Sequence, residues 1–166
     1  MPAKALIDVD GTDAVSKVTL TLLNEFPGLN KGQQILFATV DETSGIGFYP
    51  TSGAAYLRDN ESITGHVTQA CLYPFSAVYR AAPKSEKQRM RIKEFLDTLG
   101  KWLEKQPVTI GDTTYQLDAY PALSSGNRVI KSISRSTPAF LNAAYQDGIE
   151  DWAISIRLIY ENEFDR

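Results

Sequence analysis

From Trp152 to Tyr160 the chain alternates with a period of two: Trp152, Ile154, Ile156, Leu158 and Tyr160 fall on one side, and Ala153, Ser155, Arg157, Ile159 and Glu161 on the other. Only an extended strand places successive side chains on opposite faces, so this stretch predicts a sheet with one apolar face that something must cover. The remaining patterns supply the cover. Val15, Val18, Leu22 and Phe26 recur at helical spacing, which predicts a helix over 13–26, capped by Thr12 and ended by Pro27-Gly28. A second helix starts at Ser85, where Ser85 and Gln88 match a capping box. Its stripe is Ile92, Phe95, Leu96, Leu99, Trp102 and Leu103, and Pro107 stops it. Gly100 should weaken this helix slightly.

Further strands are predicted at 35–40 and 66–80, the latter with Pro74 implying an edge position or a bulge. A hairpin over 108–117 turns at Gly111-Asp112, and another strand runs over 129–135. Residues 138–145 read as a short helix or an irregular stretch. The segment 41–65 is rich in Gly, Ser, Thr and acids yet carries Ile46, Phe48, Tyr49, Tyr56, Leu57 and Ile63. It reads either as two short strands joined at Pro50-Thr51-Ser52-Gly53 or as a mobile assembly loop. The expected fold class is α+β: a mixed, largely antiparallel sheet with at least two helices packed on it, in a single domain over 1–166.

Composition narrows the function. A chain of 166 residues can bury a full core without staples. The net charge of −3 argues against a general polyanion binder. One cysteine, Cys71, allows no internal disulfide, and the lone His66 excludes multi-His and Cys/His zinc sites within one chain. No run approaches the roughly 18 apolar residues of a membrane span, and the start of the chain lacks the apolar core of a signal peptide.

Two arrangements point toward chemistry. Asp8-Val9-Asp10-Gly11-Thr12 matches the first motif of haloacid-dehalogenase-like phosphatases, where one aspartate is nucleophile and the next acid/base beside Mg²⁺. Against it stand a preceding apolar run of only Ala5-Leu6-Ile7, Asp13 where an apolar residue is usual, and no home for the rest of that site. A nucleophile set of Cys71, His66 and Asp97 is the second, but Cys71 lies in an apolar strand setting without a glycine-flanked elbow. The cations Lys84, Lys87, Arg89, Arg91 and Lys93 are interleaved with Glu86, Glu94 and Asp97 and read as a solvated helix face. Trp102 and Trp152 belong to the apolar stripes and read as core. No catalytic residue, cofactor site or metal site is expected.

Along its length the chain resembles the tail-terminator or minor capsid proteins of long-tailed phages and prophages. The resemblance is carried by Leu22-Leu23-Asn24-Glu25-Phe26-Pro27-Gly28-Leu29, by Tyr73-Pro74-Phe75-Ser76-Ala77-Val78-Tyr79-Arg80, by the helix from Arg91 to Glu104, and by Ile149-Glu150-Asp151-Trp152 into Ile156-Arg157-Leu158-Ile159-Tyr160. It implies a structural virion protein: a homo-oligomeric ring, six subunits favoured, on the last ring of the tail tube. That ring stops tube growth and meets the head–tail connector protein. The resemblance also implies a virion location after assembly in the bacterial host cytoplasm, with the tail tube protein as a partner. Membrane and sequence-specific nucleic acid are not expected partners. The alternatives are a head-completion or connector protein and, outside the structural class, a Mg²⁺-dependent phosphatase-like enzyme using Asp8 and Asp10.

Overall fold

The structure is a computed structural model that describes residues 12–51, 56–123 and 128–166. In chain order the elements are α1 (Thr12–Asn24), β1 (Ile35–Phe37), β2 (Gly45–Pro50), β3 (Tyr56–Glu61), β4 (His66–Ala81), α2 (Glu86–Leu103), β5 (Val108–Ile110), β6 (Thr113–Tyr115), β7 (Val129–Arg135), β8 (Phe140–Ala144) and β9 (Glu150–Asp165). The fold is α+β. Nine strands form a mixed seven-stranded sheet and a separate two-stranded one, β5–β6, turned at Gly111-Asp112 as expected. Among the described residues, only β1 and β2 pair in parallel.

The centre of the large sheet is a ribbon of two sixteen-residue strands, β4 and β9, paired without a register break from His66–Asp165 to Ala81–Glu150. Shorter strands flank it in tandem. Along the outer side of β4, β3 covers Val67 to Cys71 and β2 covers Phe75 to Arg80. Along the outer side of β9, β8 covers Glu150 to Ala153 and β7 covers Ile156 to Glu161.

The period-two reading of β9 holds. Ile154, Ile156, Leu158 and Tyr160 are all buried and share a face with Cys71, Tyr73, Phe75 and Ala77 of β4. Both helices lie on that face, with Val15, Leu22 and Leu23 of α1 and Leu96, Leu99 and Leu103 of α2 in one core. Phe26 joins the helices through ring contacts with Phe95 and Trp102, each at 5.5 Å between centroids. At Gly100, α2 packs tightly against side chains of β7 and β9. A Cβ there would lie 2.9 Å from Ile154 Cδ1 and collide with Arg135, so glycine's modest helical cost is offset by close packing. On the other face, Ala70, Leu72, Pro74, Ser76 and Val78 of β4 are half-buried and uncovered by any described element.

Four expectations change. First, α1 ends at Asn24, because its last turn tightens through Glu25 N–H to Leu22 O and Phe26 N–H to Leu23 O. The side chain of Thr12, its expected cap, lies outside the described residues. Second, the segment 41–65 does hold two short strands, β2 and β3, but not as a hairpin: they do not pair with each other and lie end to end on β4, and part of the expected joint at Pro50-Thr51-Ser52-Gly53 lies outside the described residues. Third, Pro74 is not at a sheet edge. Its carbonyl accepts from Thr51 N–H at 2.9 Å, so its missing N–H faces the seam where β2 ends and β3 has not begun, and no ladder bond is lost. Fourth, 138–145 forms the strand β8 rather than a helix or irregular stretch.

Candidate functional site

The residues singled out for chemistry are not brought together. Asp8 and Asp10 lie outside the described residues. Cys71 is buried, with its thiol 3.9 Å from Gln69 Oε1. His66 is half-exposed and its Nδ1 lies 2.8 Å from Asp165 Oδ1. Asp97 takes Lys93 Nζ at 2.6 Å and the Ala139 amide at 2.8 Å. Each member of the supposed nucleophile set is thus engaged with a different partner. The α2 cations behave as a mixed surface: Lys93 pairs one turn on with Asp97, and Arg89 reaches across to Glu150. Among the described residues, no group of three or more His, Cys, Asp or Glu is placed to hold a metal ion. No helix there is long and apolar enough to cross a membrane.

What the fold does present is a set of sheet edges, and an edge is a row of backbone donors and acceptors ready to pair with another chain. Among the described residues, the large sheet has four outer strands, β1, β3, β7 and β8, and the first three carry protection. At β1, the Asn24 carboxamide imitates a neighbouring strand: Ile35 N–H donates to its Oδ1 at 2.8 Å and its Nδ2 donates to Ile35 O at 3.0 Å. At β3, the run Arg58-Asp59-Asn60-Glu61 is exposed and charged, with the two acids paired to Arg166. At β7, two outward amides are taken by side chains. Ile133 N–H donates to Tyr120 Oη at 3.3 Å, and Arg135 N–H to Glu104 Oε2 at 3.2 Å.

That β7 cover follows from how α2 ends. Lys105 adopts a left-handed φ of +62° and closes the helix with Lys105 N–H to Trp102 O and Gln106 N–H to Lys101 O. Its ammonium then sits 4.3 Å over the Tyr120 ring. The Tyr120 hydroxyl donates to Leu103 O at 2.8 Å while accepting from Ile133, and burial pushes its pKa up, which keeps it a donor. Glu104 holds the Arg135 backbone and guanidinium together, the latter at 2.8 Å.

The fourth edge, β8, has no such cover among the described residues. Its sequence, Phe140-Leu141-Asn142-Ala143-Ala144, is uncharged, and Phe140 and Leu141 are 38% and 47% exposed. It is held firmly on its inner side. The Ala139 amide is fixed to Asp97, and a tight turn closes through Tyr145 N–H to Ile149 O with Gly148 at φ +76°. Next to the turn, Arg80 makes a two-point bond to Asp151, Nε to Oδ1 at 2.7 Å and Nη2 to Oδ2 at 2.8 Å. Tyr145 donates to the same carboxylate at 2.9 Å. The guanidinium so placed lowers the Asp151 pKa, and Arg80 is raised in return, chiefly by the same bond. On the opposite face of the sheet, Arg89 clamps Glu150, whose carboxylate also takes the Trp152 indole N–H at 3.0 Å. Arg89 holds the Glu150 pKa low.

A half-open cleft of about 420 Å³ adjoins Arg80, lined also by Gln33, Asp41, Ser44 and Tyr79. Arg80 offers it little. Two further N–H groups go to Asp41 O at 3.3 Å and Tyr145 Oη at 3.4 Å. Among the described lining residues the cation is Arg80, and its charge is paired with Asp151.

The sequence reading found the long strands and helices that position β8 but not β8 itself, nor the paired carboxylates that anchor it. The missed signal was Asp147-Gly148, a strong hairpin pair between Phe140-Leu141 and the alternating run of β9. The chain matches no model of a known protein family and no curated protein sequence.

Proposed function

We propose that this chain is a non-enzymatic virion subunit: a tail terminator that forms a ring at the head-proximal end of the tail tube, stops its growth and joins the head connector. The ring is a homo-oligomer with six subunits favoured, and its further partners are the tail tube protein and the head–tail connector protein. The observation that carries the reading is where the resemblance falls. Its four segments fall on the end of α1 and the turn after it, on β4, on α2 and on β9, which together supply much of the core. The surface supports an assembly role too. The sheet face away from the two helices, with half-buried Ala70, Leu72, Pro74, Ser76 and Val78 of β4, gives a neighbouring subunit something to bury, and a ring needs a head-to-tail contact between different patches.

The test is electron microscopy of tails assembled with and without the protein. The terminator reading expects overlong tails, without heads, when it is missing. Tails of normal length that fail to join heads would instead favour a head-completion or connector role. Tails of normal length that join heads would overturn both.

A further inference from the structure

We infer that β8 is a self-pairing edge, through which two copies of this chain join about a two-fold axis into one continuous sheet. The inference does not rest on the terminator reading, because a two-fold contact is distinct from the head-to-tail contact of a ring.

The occupant follows from the strand itself. An edge open on one side takes another strand, and the other three edges are taken up by Asn24, by Tyr120 and Glu104, or by charge. A two-fold axis sets each residue of β8 against the strand's own sequence read backwards. Centred on Asn142, it places Phe140 opposite Ala144 of the second copy and Leu141 opposite Ala143. On either side of Asn142 a large side chain meets a small one, which suits cross-strand neighbours about 5 Å apart. No charge meets its like, since β8 has none. Asn142 opposes itself, and a carboxamide both donates and accepts, so the pair is self-satisfying.

Asn142 is also the extra residue where the β8–β9 register slips between Leu141 and Ala143. Such a bulge unfits the strand for a regular partner, but a second β8 carries the same extra residue, so the two match. The surroundings extend the contact. Tyr145 is 49% exposed beside the strand, and Met90, 64% exposed, lies on the α2 face whose Asp97 fixes Ala139.

Sedimentation velocity of the full chain over a wide concentration range should show a monomer–dimer equilibrium. Leu141→Lys should weaken it at least about tenfold, a change of about 1.4 kcal/mol, with an unchanged thermal melt because the side chain is exposed. Register is tested by oxidation. Asn142→Cys should cross-link to itself. Phe140→Cys should not, but should do so once Ala144→Cys is added. A chain that is monomeric throughout, a dimer indifferent to Leu141→Lys, or cross-linking in a different register would each overturn the inference. The native Cys71 is buried and does not interfere.

Discussion

The two strands that run along the outer side of β9 end in opposite ways. β7 buries Ile130 and Ile133, and its outer amides are bonded to Tyr120 and Glu104. β8 buries neither of its large side chains and leaves its outer side unpaired among the described residues. Both are bonded to the same strand over consecutive stretches. Membership of the sheet is therefore not what separates them. The difference lies in the chain beyond α2, which passes over β7 and supplies Tyr120. The fold thus closes one edge from within and, among the described residues, leaves the other open.

The strongest way to break this contrast is to truncate one apolar side chain on each strand. Ile133→Ala removes a buried side chain packed with Leu158 and should cost about 2–5 kcal/mol. Leu141→Ala should stay within about 0.5 kcal/mol in the monomer, as exposed substitutions do. Chemical denaturation of both at low concentration checks the pair. Similar losses would mean that β8 is as much core as β7.

A smaller effect sharpens the contrast from the other side. Tyr120→Phe keeps the ring under Lys105 but removes the hydroxyl shared by Leu103 and Ile133. It leaves a buried carbonyl and an edge amide without their partner, for about 1–2 kcal/mol. It should also unblock β7. The variant is expected to self-associate beyond a dimer, since two edges of the sheet would then be open. A destabilised variant that still stops at the dimer would show that Tyr120 holds α2 in place without guarding the edge.

How much of this was legible in the sequence depends on the range of the interaction. Periodicity marks β9 and both helices, because one face of each packs on a single core and the pattern repeats along the element; β4 and β7 are legible only as runs of strand-favouring residues. Ser85 was correctly placed as a cap, with Gln88 N–H to Ser85 Oγ at 3.2 Å. The capping box is not closed in its usual form: Gln88 reaches the Lys84 amide rather than that of Ser85. β8 was misread because Leu-Asn-Ala-Ala favours no strand by propensity, and the strand exists through its tight turn and its bonds to β9. Pro74 misled because a proline's cost depends on which side its nitrogen faces, and only the seam between β2 and β3 decides that. The pairs of Arg80 with Asp151 and Arg89 with Glu150 span 71 and 61 residues, a separation that carries no local signature.

The ion pairs at the two ends of the central ribbon should separate in a pH titration. At the β8 end, Asp151 and Glu150 have lowered pKa values, held down chiefly by Arg80 and Arg89. A carboxylate depressed in the folded state stabilises above its unfolded pKa, near 4, and loses that contribution as pH falls through the lower folded value. The β8–β9 turn should therefore loosen below about pH 4. At the far end, His66 is raised, chiefly by its bond to Asp165. A raised histidine contributes fully below its unfolded pKa near 6.5 and loses the contribution as pH rises through the folded value. The ring is half-exposed, so solvent screening makes this the smaller effect. Hydrogen exchange of the Tyr145 and Gly148 amides should accelerate on acidification while Asp151→Asn exchanges fast throughout. The small loss of thermal stability between slightly acid and slightly alkaline pH should disappear in His66→Asn, with the acid limb unchanged. If His66→Asn instead abolishes the acid limb, the ribbon titrates as one unit and its two ends are not independent.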